Sequence, residues 1–141
     1  MIERLILLAC IFVLWSTVEC AMTKEQLDSM IKALRKTCQS KTEVDTAILD
    51  GMRRGEFPED PKFQCYLKCL LKTSRAIRDD KLDLNMMLKQ ADIMIAGEFQ
   101  ERTKSVMRKC TAETSSSDMC VAAYQFFKCF WETDSEMFIF M

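Results

Sequence analysis

Cys65 and Cys69, four residues apart in the stretch Phe63-Gln-Cys-Tyr-Leu-Lys-Cys-Leu-Leu71, constrain this chain more than any other feature. On an α-helix that spacing places both on one face, one turn apart. Their side chains then point the same way, so each is better placed to bond a different segment than its neighbour. A helix carrying two such bonds staples two other parts of the chain to itself.

The other cysteines depend on where the secreted chain begins. Glu3-Arg4 precedes the uncharged run Leu5 to Val18, followed by Glu19-Cys20-Ala21. A charged start, an apolar run of this length and small residues at its end predict a secretory signal peptide over residues 1–20. The run is shorter than the roughly 20 apolar residues that a membrane span needs. Cleavage after Cys20 removes Cys10 and Cys20 and leaves six of the eight cysteines. In a secreted domain spanning 21–141 these read as three disulfides, with fifteen pairings open.

Without residues 1–20, basic and acidic residues balance at 19 each. That balance gives no electrostatic reason to expect a nucleic acid or an anionic membrane as partner. The chain contains no histidine, which removes the usual zinc ligand, general base and pH switch. No metal or other cofactor is expected.

The apolar periodicity is helical from end to end. Thr23 to Gln26 has the form of a capping box, and Leu27, Met30, Ile31, Leu34 and Cys38 follow as one stripe. A second helix is expected from Thr42, with Val44, Ile48, Leu49 and Met52 apolar. Gly51, Gly55, Pro58 and Pro61 mark the clearest loop. Asp60-Pro61 reads as cap and first position of a third helix reaching Arg78. Asp79-Asp80-Lys81 reads as a polar turn, Leu84 to Ile95 as a Met-rich fourth helix, and Gly97 as a break before the stripe Phe99, Thr103, Val106, Met107 and Cys110. Ser117 is a candidate N-cap for a last helix bearing Cys120, Ala123, Tyr124, Phe127, Phe130 and Trp131. Strand signals are weak, with no two-residue hairpin turn. The expected fold is all-α, with six helices.

The chain closes on Met137-Phe138-Ile139-Phe140-Met141. Five exposed apolar residues would favour aggregation, so this end is expected to return to the body and fill or cover something.

The spacing Cys38-x26-Cys65-x3-Cys69-x40-Cys110-x9-Cys120-x8-Cys129 resembles the six-cysteine signature of insect odorant-binding proteins. The x3 and x8 intervals are its most diagnostic parts, and the resemblance covers residues 21–141. It implies a compact, disulfide-stapled six-helix fold around an apolar cavity, with the pairs Cys38–Cys69, Cys65–Cys120 and Cys110–Cys129. It further implies a secreted, extracellular carrier of small apolar molecules such as odorants or pheromones, in sensillum lymph. A chemosensory receptor and a second copy of the chain are the protein partners it admits, and membrane insertion is not expected.

By the same likeness, the cavity wall would take Leu27, Ile31 and Leu34 from the first helix and Leu88, Ala91 and Ile95 from the fourth. Val106 and Met107, Phe127 and Phe130, and the tail residues Phe138, Ile139 and Phe140 complete that set. Methionine is flexible and polarisable, which suits a site accepting several shapes. Tyr66, Tyr124, Ser74 and Thr103 are polar groups on apolar faces able to hydrogen-bond an alcohol, aldehyde or ester. Related proteins often release ligand through histidine protonation, a route closed here. Arg35 is the candidate cation for a latch holding Glu136 or the C-terminal carboxylate.

Catalysis is not expected: histidine, a Gly-rich phosphate loop and a nucleophile motif are all absent from the sequence. Two alternatives to odorant transport stand beside it. One is the same fold carrying non-odorant cargo in another secreted fluid. The other is a saposin-like lipid-interacting protein, although its cysteine spacing differs.

Overall fold

The computed structural model describes residues 24–95 and 97–140, without the side chains of Lys24, Leu27, Ile139 and Phe140. The expected signal peptide and the Thr23 cap lie outside the described residues, as do the C-terminal carboxylate and the side chains of Leu27, Ile139 and Phe140.

Among the described residues six helices form: α1 (Lys24–Thr42), α2 (Thr46–Met52), α3 (Pro61–Thr73), α4 (Leu84–Met94), α5 (Glu98–Glu113) and α6 (Met119–Thr133). A hairpin of two short strands, β1 (Ile77–Arg78) and β2 (Lys81–Leu82), joins α3 to α4. A 3-10 turn, Met137–Phe140, follows α6.

Aspartates start four of these helices. The Asp45 carboxylate accepts from the Ala47 N–H at 2.8 Å, and Asp60 accepts from Phe63 at 2.8 Å ahead of Pro61. Asp83 accepts from Met86 at 3.0 Å. Asp118 takes two amides, from Cys120 at 2.7 Å and Val121 at 3.1 Å. Each carboxylate satisfies donors that a helix start leaves without partners.

Two expected caps therefore move. Thr42 closes α1 instead of opening α2, its hydroxyl donating to the Cys38 carbonyl at 2.9 Å. Ser117 gives way to Asp118, whose charge also suits the positive end of the helix dipole. The third helix stops at Thr73, short of Arg78, because Arg75 adopts φ 57°. The strand expectation also needs correction. Asp79 and Asp80 both take positive φ, 49° and 52°, as a two-residue I′-type hairpin turn requires. Aspartate tolerates that conformation without glycine.

α3 and α6 pack together most extensively, flanked by α1 on one side and α5 on the other. The structure bonds Cys38 to Cys69, Cys65 to Cys120 and Cys110 to Cys129, the pairing that the resemblance implies. α3 is thereby tied to α1 through one cysteine and to α6 through the other.

An aromatic cluster closes the end of the molecule where the tail returns. The Phe57 ring lies 5.9 Å from Phe138, 6.1 Å from Phe63 and 6.3 Å from Tyr124, centre to centre. The Tyr124 hydroxyl donates to the Phe57 carbonyl at 2.7 Å. Phe138 stands edge-on to Trp131 at 5.2 Å, a favoured aromatic geometry. Gly55 makes the turn beneath Trp131 with φ 84°. A Cβ built there would clash with the indole nitrogen.

Candidate functional site

An apolar cavity of about 180 Å3 opens between the helices. α4 contributes Met87, Gln90, Ala91 and Met94, which recur at i, i+3, i+4 and i+7 and so share one helical face. Ile95 follows at the end of the helix. α1 supplies Met30, Ile31, Leu34 and Arg35. α3 adds Tyr66, Leu70 and Leu71, continued by Ser74 and Ala76. Thr103 and Met107, one turn apart, come from α5, and Phe126, Phe127 and Phe130 from α6. Met137, 2% exposed, comes from the described part of the tail. Five methionines, from α1, α4, α5 and the tail, are among the described residues that line it and make it compliant as well as apolar.

Of the residues singled out in the sequence, Ile31, Leu34, Ala91, Ile95, Met107, Phe127 and Phe130 line this cavity. Leu88, Val106 and Phe138 do not. Leu88 lies one position round from Met87, and α4 offers two overlapping apolar stripes. The cavity takes the stripe through Met87 and Met94. Val106 is buried in the core beside Cys110. Phe138 is spent in the aromatic cluster, while its neighbour Met137 reaches the cavity.

The wall set drawn from the sequence left out Phe126, Leu70 and Met87; Tyr66, singled out there for its hydroxyl, does line the cavity. Phe126 was legible in another way. α6 is apolar around nearly its whole circumference, with only Gln125 and Lys128 polar between Met119 and Trp131. That composition marks a helix covered on several sides.

Few polar groups reach the cavity. The Ser74 hydroxyl donates to the Leu71 carbonyl at 3.1 Å, and the Gln90 side-chain amide donates to the Ser74 carbonyl. Tyr66 is 2% exposed, and burial pushes its phenol above the ordinary value despite the opposing charges of Arg35 and Arg53. Thr103 is 3% exposed, and its hydroxyl has no hydrogen-bond partner among the described residues. Tyr124 is off the wall, committed to Phe57.

Among the described residues the latch on Glu136 is Arg102 and not Arg35; the C-terminal carboxylate lies outside them. Arg35 pairs with Asp50 at 2.6 Å, which holds the Asp50 carboxyl below its usual range. Arg102 on α5 instead grips both Asp134 and Glu136, the latter at 2.8 Å. Asp134 in turn accepts from the Met137 N–H at 3.3 Å. The guanidinium fork thus anchors the segment that carries Met137 into the cavity. The sequence offered no signal for this choice, since Arg102 sits on an otherwise polar helix face.

Among the described residues there is no group of acidic or cysteine side chains able to hold a metal ion. No described helix is long and apolar enough to cross a membrane. Fold and cavity together define a disulfide-stapled helical shell built to enclose a small apolar molecule.

Residues 20–133 match the PBP/GOBP family, and the chain belongs to it. General odorant-binding protein 72 of Anopheles gambiae is 29% identical over 121 residues, covering 85% of this chain and 99% of that relative. The solved structure of odorant binding protein 5 of Apis mellifera superposes with a TM-score of 0.79 at 33% identity. It covers 84% of this chain and 97% of that one. Odorant binding protein 4 of Chrysopa pallens superposes with a TM-score of 0.75, also at 33% identity, covering 82% and 96%. This is a family of secreted odorant-binding carriers, not of enzymes, and the cavity is that of a carrier of small hydrophobic molecules.

Proposed function

We propose that this protein carries volatile odorants or pheromones through sensillum lymph to chemosensory receptors, after removal of residues 1–20. The observation that carries the reading is the apolar cavity of about 180 Å3 in a chain of the PBP/GOBP family. Apolar molecules of low aqueous solubility gain free energy in proportion to the area they bury there. Three disulfides hold the shell open against the cost of an empty cavity.

Two experiments test the reading. Oxidised protein beginning at Ala21 is loaded with a fluorescent apolar probe and titrated with volatile alcohols, esters and hydrocarbons. One-site, saturable displacement is expected. Antibody staining should place the protein in the lymph of chemosensory hairs. Saturable binding with staining confined to another secreted fluid would leave a carrier of non-odorant cargo.

A further inference from the structure

Two consecutive basic residues occur three times in the sequence, at Arg35-Lys36, Arg53-Arg54 and Arg108-Lys109. The fold treats them differently. Arg35-Lys36 lies inside α1 and Arg108-Lys109 inside α5. To present an extended strand to a peptidase, either helix would first have to unfold locally. Arg53-Arg54 instead lies in the turn that follows the short helix α2, and both side chains are exposed.

Proteolytic nicking concentrates at exposed turns whose backbone is neither buried nor tied to the rest of the fold. The backbone bonds of this turn are local. The N–H groups of Arg54 and Glu56 donate to the Gly51 carbonyl at 2.8 and 3.0 Å, and that of Gly55 donates to the Met52 carbonyl at 3.1 Å. The Arg54 guanidinium pairs with Glu56 at 2.8 Å, but the two side chains are 62% and 59% exposed, so the pair holds the turn only weakly. Firm anchors lie on either side: Met52 is buried, and the Phe57 carbonyl accepts from the Tyr124 hydroxyl. Residues 53–56 can therefore open from the surface while the body stays folded.

The disulfides decide what a cut there does. Of the three bonds, only Cys38–Cys69 joins a residue before this turn to one after it. A cut between Arg54 and Gly55 leaves α1 and α2 on one piece and the other four helices on the second, with that bond as the covalent link. The smaller piece keeps its own Arg35–Asp50 ion pair. It carries Met30, Ile31, Leu34 and Arg35 of the cavity wall, which packing and a single disulfide then hold in place.

We propose that the Arg54–Gly55 bond is a processing site for a paired-basic endopeptidase of the secretory route, one whose two adjacent acidic pockets each take a guanidinium. Hydrolysis consumes one water. The C–N bond breaks, the water oxygen completes the Arg54 carboxylate, and both water hydrogens end on nitrogen as the Gly55 ammonium. The product is a two-chain protein with α1 and α2 tethered through Cys38–Cys69. The inference uses the secretion assumed in the reading above, but not its ligand.

The full chain is co-expressed in insect cells with a secretory paired-basic endopeptidase, and the secreted protein is weighed before and after reduction. Before reduction the main species should exceed the intact oxidised chain by the mass of one water. After reduction it should separate into a piece ending at Arg54 and a piece beginning at Gly55. Arg53→Gln breaks the pair at an exposed side chain and should be cut at least about tenfold less, the loss of one charged contact. Arg53→Lys keeps the pair and should be cut like the parent. A parent chain secreted uncut overturns the proposal, as does a first cut within α1 or α5, or an Arg53→Gln chain cut as readily as the parent. None of these readings depends on ligand binding, so a failed probe titration and a failed cleavage are told apart.

Discussion

Replacing Phe138 by alanine tests whether the tail is part of the core. Phe138 is 3% exposed. Its ring lies within 6.2 Å of four others, those of Phe57, Phe127, Phe130 and Trp131. Burying a phenylalanine this completely makes its truncation to alanine cost about 3–5 kcal/mol. The lower end applies here, because a segment so near the chain end can settle into part of the space. Unfolding about 120 ordered residues carries an entropy near 0.25 kcal/mol/K, so a loss of about 3 kcal/mol lowers Tm by about 12 °C. Thermal denaturation of the oxidised chain, followed by circular dichroism, measures it. Trp131, edge-on to the lost ring, should report the same change in its emission. The control is Ile93→Ala, at a side chain 66% exposed, which should move Tm by less than about 2 °C. A fall of under about 3 °C for Phe138→Ala would mean that the tail does not dock as described.

Other consequences follow from the same geometry. Gly55→Ala forces a side chain into φ 84° and against the Trp131 indole; a loss of roughly 2–3 kcal/mol is expected by denaturant midpoint. Arg102→Ala frees Asp134 and Glu136 and should loosen the tail, seen as faster amide exchange at Met137, while Arg35→Ala should leave that amide unchanged. Two backbone amides hold the Asp118 carboxyl below its ordinary value. Its contribution is therefore complete above the ordinary carboxylate range and is lost as pH falls through the lowered folded value. Asp118→Asn should flatten the acid limb of a stability-against-pH curve. Removing Cys65–Cys120, which spans 55 residues, should cost about 4 kcal/mol, and removing Cys110–Cys129, which spans 19, about 3 kcal/mol.

The frame was legible because it depends on local spacing. Cys65-x3-Cys69 marks a doubly tied helix, and helical apolar stripes run into Cys38 and Cys110. Asp60-Pro61 marks a helix start by cap chemistry alone. What escaped depended on competition between similar local options. Asp118 outranks Ser117 as a cap because its carboxylate reaches two amides. Asp79-Asp80 turns a hairpin that aspartate signals only weakly, lacking the glycine that usually follows.

The cavity wall was half legible for a related reason. An apolar stripe shows that a helix has an inner face, but not which part of that face meets a neighbour and which meets a void. Val106 meets the core, and Met107 beside it meets the cavity. On α4 two stripes overlap, so Leu88 and Met87 were equally good candidates. The partner of Arg102 depends on where a chain end returns, which no spacing encodes.

The proposed carrier function places binding in the cavity between α1, α3, α4, α5, α6 and the tail. Ala91, 2% exposed, is the smallest apolar side chain on its α4 face, so Ala91→Phe would project a ring into the void. The decisive measurement is a probe titration of the oxidised parent and of this variant, with Tm recorded for both. Saturable one-to-one binding by the parent, abolished in a variant that still melts cooperatively near the parental Tm, is the predicted result. Unaltered binding by the folded variant would place the ligand elsewhere, and no saturable binding by the parent would contradict the carrier function itself.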